Sequence, residues 1–144
     1  MKVWIALVLL SPALVLASNA TAPLVVEPRN LGDQLMKFVA ADDIPGLFAH
    51  MATMSPIEKA QMDDSRDNVL KQRKPLVSSL GHVLGFGFVS ECRRGDFLSR
   101  VVYAEKRSKS VMRWEFIFYR VRDKWQLIYF YWDDKVKELF ESCN

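Results

Sequence analysis

The 144-residue sequence predicts an α+β fold: N-terminal helices packed on a curved four-stranded antiparallel meander, followed by a short C-terminal helix. Three observations lead there. Upstream of Gly81, apolar residues recur at helical spacing. Downstream, the period drops to two across four stretches rich in β-branched and aromatic residues. Those stretches are separated only by the polar turns Arg93-Arg94-Gly95, Arg107-Ser108-Lys109 and Arg122-Asp123, which are too short for anything but antiparallel neighbours. Helices first and strands second place the helices on one face of the sheet.

Taken in order, the chain opens with "MKVWIALVLLSPALVLASNATA". Lys2, an apolar run from Val3 to Leu16 broken only by Ser11 and Pro12, and the small residues after it read as a secretory signal peptide over residues 1–17, with cleavage extending to 22 at most. The run is about fourteen residues, short of the roughly 18–20 that span a bilayer. No later stretch is longer, so the expectation is an exported protein with no transmembrane segment after signal removal. Its place is then the periplasm of a Gram-negative bacterium or the extracellular medium. Residues 18–29, "SNATAPLVVEPR", read as a flexible lead-in, and residues 30–144 as a single domain.

Within that domain a first helix starts at Asn30, with Leu31, Leu35, Phe38 and Val39 on one side. A second, "DDIPGLFAHMATM", takes Asp42 or Asp43 as its cap and Pro45 in its first turn. A third begins at a capping box of Ser55 and Glu58 with Pro56 at the first helical position, and Pro75 limits it near Gln72 or Arg73. The strands are "HVLGFGFVSEC", "DFLSRVVYAEK", "SVMRWEFIFYRV" and "KWQLIYFYW". Gly81, Gly85 and Gly87 do not open a helix, so they signal a bulge or bend rather than a phosphate loop. Asp133 caps the last helix, "DKVKELFES".

Removing residues 1–17 costs only Lys2 among the charges and leaves 19 Lys+Arg against 17 Asp+Glu. So mild an excess argues against a nucleic-acid partner. The only cysteines, Cys92 and Cys143, have no metal-ligand spacing to each other or to His50 and His82, so no metal or cofactor is expected. In an oxidising compartment they form one disulfide. Closing that 51-residue separation stabilises by about 4 kcal/mol at most in the chain-entropy model.

The segments "GHVLGFGFVSE" and "VVYAEKRSKSVMRWEFIFYRVRDKWQLIYFYWDDKVKELF" resemble the nuclear transport factor 2-like (cystatin-like α+β) superfamily, and within it small exported bacterial proteins. The resemblance covers roughly residues 30–140. It implies a cone-shaped cavity between helices and sheet, in a family that holds isomerases, dehydratases and binding proteins. Its enzymes place a carboxylate or histidine base in the cone.

The catalytic candidates on that comparison are Glu115 and His82. Glu115 shares a strand face with Arg113 and Tyr119, so an ion pair with Arg113 or Arg100 competes with a role as base. The ligand- or partner-binding candidates are Tyr103, Arg113, Glu115, Tyr119, Tyr129 and Trp132. A further expectation concerns charge. Lys71, Arg73, Lys74, Lys106, Arg107 and Lys109 converge at one end of the sheet as a six-cation cluster, or as solvated turns.

From Trp114 to Trp132 lie nine of the seventeen aromatics, and the last strand is apolar on both faces. Alternation sets Trp125, Leu127, Tyr129 and Tyr131 against Ile128, Phe130 and Trp132. A two-residue turn at Asp123-Lys124 aligns Trp114, Phe116 and Phe118 with Tyr131, Tyr129 and Leu127; a three-residue turn aligns them with Trp132, Phe130 and Ile128. The sequence therefore leads to an exported, non-catalytic domain that binds a small apolar ligand or a protein partner. An isomerase or hydratase working in the cone, and a periplasmic immunity or inhibitor protein, are the alternatives. A homodimer formed through the open sheet face is a further expectation.

Overall fold

The computed structural model describes residues 25–141 and Cys143. The signal-peptide reading and the lead-in up to residue 24 lie outside the described residues. The architecture is α+β, with N-terminal helices on one face of a four-stranded meander and a 3₁₀ turn at the C-terminus.

Helix α1, Pro28–Ala40, begins two residues before Asn30 because Pro28 occupies its first turn, where a missing N–H costs nothing. Gly32, Leu35, Met36 and Val39 form its buried stripe. Asp42 takes a left-handed conformation (φ 53°) in the turn that follows, and Asp43 caps α2, Ile44–Met54, by accepting from Gly46 N at 2.9 Å. Ile44, Leu47, Phe48 and Met51 are the buried face of α2.

Helix α3 is Lys59–Arg73 and starts later than the capping box predicts. Ser55 stays extended, and its Oγ accepts from Ile57 N at 3.2 Å instead of reaching residue 58. Residues 55–58 are consumed in reversing the chain after α2, and Glu58 becomes the N-cap residue. A short α4, Leu76–Leu80, was not legible in the sequence; it ends at Gly81, whose φ of 83° and whose closeness to Ser108 Oγ leave no room for a Cβ.

Strands β1 (Val83–Arg94), β2 (Leu98–Arg107), β3 (Val111–Val121) and β4 (Lys124–Asp133) pair in sequence order, all antiparallel. Strand β1 carries two irregularities, one between Val83 and Gly85, where Gly85 has φ 140°, and one between Phe88 and Ser90. The β3–β4 hairpin uses both registers that the sequence left open. Near the turn Val121 faces Lys124 and Phe118 faces Leu127; farther along Phe116 faces Phe130 and Trp114 faces Trp132. The turn residues are Arg122-Asp123, as the strand limits predict, and not Asp123-Lys124, with Arg122 at φ 56°. A bulge at Ile128 converts one register to the other.

That bulge corrects the expected alternation. Trp125 and Leu127 share the helix-covered face with Phe130 and Trp132, while Tyr129 and Tyr131 move to the outer face. The core joins Leu35, Met36 and Val39 of α1, Leu47, Phe48 and Met51 of α2, and Val101, Tyr103, Trp114, Phe116, Phe118 and Leu127 of the sheet. Each large apolar side chain so covered contributes roughly 1.5–3 kcal/mol.

After Asp133 the chain turns onto the outer face. Its 3₁₀ helix, Val136–Phe140, lies against β3, and Cys143 forms a disulfide with Cys92 of β1. The last residues thus cross the sheet as a strap tied at its far edge.

Candidate functional site

The site residues proposed from the sequence fall on opposite sheet faces. Tyr103 and Trp132 lie on the helix-covered side. Arg113, Glu115, Tyr119 and Tyr129 lie on the outer side.

Tyr103 is fully buried. Its hydroxyl donates to Asp33 Oδ1 at 2.8 Å and sits 2.9 Å from the Arg29 carbonyl. Burial, and then the Asp33 carboxylate, hold its ionisation well above the ordinary tyrosine value. It is a tie between sheet and α1. Trp132 stacks on Trp114 with ring centres 5.7 Å apart.

On the outer face Arg113 holds Asp133 (2.8 Å) and Glu138 (2.7 Å), linking β3 to β4 and to the strap. The Asp133 hydrogen bond, outweighing the cost of burial, raises the Arg113 pKa above its usual value. Glu115, with a side chain 13% exposed, lies 3.7 Å from Arg113 and 3.9 Å from Arg100. This is the ion-paired arrangement weighed against a role as base. Tyr119 and Tyr129 are 42% and 47% exposed. His82 is exposed ahead of β1, where its backbone bonds Ser108.

The carboxylate that does lie between helices and sheet is Glu105, which is not among the candidates proposed from the sequence. Its Oε2 accepts from Arg73 Nη1 (2.8 Å) and Trp114 Nε1 (2.7 Å). Its Oε1 accepts from Arg73 Nη2 (3.1 Å) and Arg107 Nε (2.8 Å). Arg107 also donates to the Gly81 carbonyl, and Arg73 to Asp42. Burial alone would lower the Arg73 pKa, but Glu105 and Asp42 more than offset it. Two guanidinium groups and an indole occupy the carboxylate's lone-pair directions, so no acceptor site is left to take a proton from a substrate. The signal was available: Glu105 and Arg107 continue the period-two phase of Val101 and Tyr103.

The same cluster corrects the charge expectation. Arg73 and Arg107 are buried with Glu105, so the six-cation surface reduces to Lys71, Lys74, Lys106 and Lys109. Among the described residues no group of three His, Cys, Asp or Glu side chains could hold a metal ion, and no helix is long and apolar enough to cross a membrane.

An open concavity lies at the other end of the sheet, between the start of α1, the end of α2 and the β3–β4 turn. It is a groove of about 730 Å³. Val25, Val26, Leu31, Met54, Pro56 and Trp125 form its apolar walls. Trp125 is only 7% exposed, and its Nε1–H has no hydrogen-bond partner among the described residues. Guanidinium groups of Arg93 and Arg120 lie 5.8 and 6.0 Å from its ring centre. The groove therefore offers apolar walls, while the unpaired Trp125 Nε1–H is itself buried out of contact with the open space. Comparison with protein-family models, curated proteins and solved structures returns no match for this chain.

Proposed function

We propose that the protein is an exported, non-catalytic binding domain that seats a small apolar molecule in the groove beside Trp125. The observation that carries this reading is the groove itself, about 730 Å³ and walled by Val25, Val26, Leu31, Met54, Pro56 and Trp125. The groove volume lies within the range of about 300–1,000 Å³ usual for small-molecule sites. A nuclear transport factor 2-like ancestry is compatible with this. In that case the cone's interior has been filled by Tyr103, Trp114 and the Glu105 cluster, and the cavity displaced to its end. The disulfide supports export, since such bonds persist in oxidising compartments. N-terminal sequencing of the protein recovered from the extracytoplasmic fraction tests that part.

Titration of the natively purified protein with 1-decanol, followed by tryptophan fluorescence, tests the binding reading. Saturable binding that Trp125→Phe weakens several-fold is expected. Absence of saturable binding by any decyl compound would sink it. The exposed tyrosines Tyr119, Tyr129 and Tyr131 of the outer face favour a second reading, a protein partner there, whether a target to be inhibited or a second copy of this chain. Light scattering of the purified protein tests the homodimer.

A further inference from the structure

We infer that Cys143 is a site of reversible thiolation by a low-molecular-weight thiol, with Cys92 as the leaving thiolate stabilised by Arg100. The Cys92–Cys143 bond is then a releasable latch on the strap, outside the groove proposed above for a ligand.

The two sulfurs of the bond sit in unlike surroundings. Cys143 is exposed at the end of the strap, whereas Cys92 on β1 is only 7% exposed. Cys92 faces Arg100 directly across β1 and β2, and Arg100 Nη2 points a donor at Cys92 Sγ from 3.6 Å. Cys143 Sγ instead lies 3.6 Å from the Glu91 carbonyl oxygen, which disfavours negative charge on that sulfur. The neighbouring charges leave the Arg100 donor available. Glu115 is 3.9 Å from Arg100 and 3.7 Å from Arg113, beyond hydrogen-bond distance of either. Arg94 lines a hollow of about 260 Å³ together with Cys92 and Arg100, and it donates to the backbone carbonyls of Arg93 and Cys143.

A thiolate attacks the accessible sulfur of a disulfide and expels the one that better carries negative charge. Both criteria select attack at Cys143. The incoming thiolate, its proton already lost to water, forms a bond to Cys143 Sγ. The Cys143–Cys92 bond breaks, and its electron pair stays on Cys92 Sγ. One disulfide replaces another, so no outside oxidant or reductant is consumed. The Arg100 contact, weak towards a neutral sulfur, becomes a charge-assisted hydrogen bond to the thiolate. Attack of Cys92 back on Cys143 expels the small thiol and recloses the strap. While the latch is open, the strap keeps the Arg113–Glu138 ion pair, but its 3₁₀ helix has no buried residue to hold it.

In the test, the natively purified, oxidised protein is incubated with glutathione at pH 7.5. Early samples are quenched with acid, alkylated with N-ethylmaleimide and mapped by peptide mass spectrometry. Glutathione on Cys143 with the alkyl group on Cys92 is expected in about tenfold excess over the reverse arrangement. Arg100→Gln should slow adduct formation by about threefold to tenfold, and Arg100→Lys, which keeps a cation, should restore most of the rate. A merely structural role for Arg100 predicts the opposite sign, since loosened strands expose the bond and speed exchange. Near-UV circular dichroism identifies any variant that fails to fold, and the mapping on the unaltered protein stands without the variants. Glutathione mainly on Cys92, an equal division between the two cysteines, or no adduct on the native protein overturns the inference. So does an Arg100→Gln rate equal to or above that of the unaltered protein.

Discussion

Arg73, the last residue of α3, grips Glu105 of β2 with both terminal nitrogens, and the two side chains are 5% and 0% exposed. The pair connects helices to sheet, with Asp42 from the α1–α2 turn and Trp114 from β3 attached to it. Burying two charges is costly, and only dense hydrogen bonding offsets it. Removing one side leaves the other stranded. Glu105→Gln is therefore expected to destabilise the fold by about 3–5 kcal/mol. Urea unfolding checks it, through a lower midpoint at unchanged slope. A loss under about 1 kcal/mol would mean that Arg73 and Arg107 repartner freely.

Gly32 sets two preferences against each other. Alanine is the better helix former by about 1 kcal/mol. Yet a Cβ here would stand 2.6 Å from Tyr103 Oη and 2.7 Å from its Cε2. Tyr103 is itself held by Asp33 and cannot swing aside without losing that bond. Overpacking of this kind costs about 1–3 kcal/mol, so Gly32→Ala should come out destabilising despite its propensity. A stabilised variant in thermal unfolding would show that α1 can slide.

Tyr103 also gives an alkaline signature. Its folded pKa is raised above the ordinary 10.0, so the folded state holds the proton more tightly than the unfolded chain. The resulting stability is fully present below pH 10 and is lost as pH climbs above it. Tyr103→Phe should lower neutral stability by about 1 kcal/mol, for the lost hydrogen bonds. It should also flatten the decline above pH 10. Denaturant midpoints measured across that range decide it; parallel curves for the two proteins would remove Tyr103 as the cause.

The strap across the outer face depends on the Cys92–Cys143 bond. Reduction, or Cys143→Ser, should cost up to about 4 kcal/mol in the chain-entropy account. Because the 3₁₀ helix packs on β3 and Glu138 pairs with Arg113, release should also speed hydrogen exchange at residues 136–141 before the core strands respond. Unchanged exchange there would show that the ion pairs alone retain the strap.

Much of this fold was legible from local pattern. The switch from period 3.6 to period 2 at Gly81 marks where helices end and the sheet begins, because each period exposes one apolar face to be covered. The turns, a cap at Asp42 or Asp43 and the Cys92–Cys143 pairing were readable for the same reason: a few neighbouring residues, or the only two thiols, decide them.

Long-range packing decided the rest. Ser55 and Glu58 form a capping box on paper, but the reversal after α2 needs those residues extended. Strand β4 looked apolar on both faces. Only the bulge at Ile128, which lets Leu127 and Phe130 both reach the helices, resolves which aromatics are core and which are surface. Arg73 and Arg107 read as surface cations until folding brought them onto Glu105, 32 and 2 residues away in sequence. The groove at Trp125 is likewise assembled from three segments far apart along the chain. Periodicity determines which face of an element is oily, whereas the partner of a buried charge or an indole N–H is chosen by whatever the tertiary fold sets beside it.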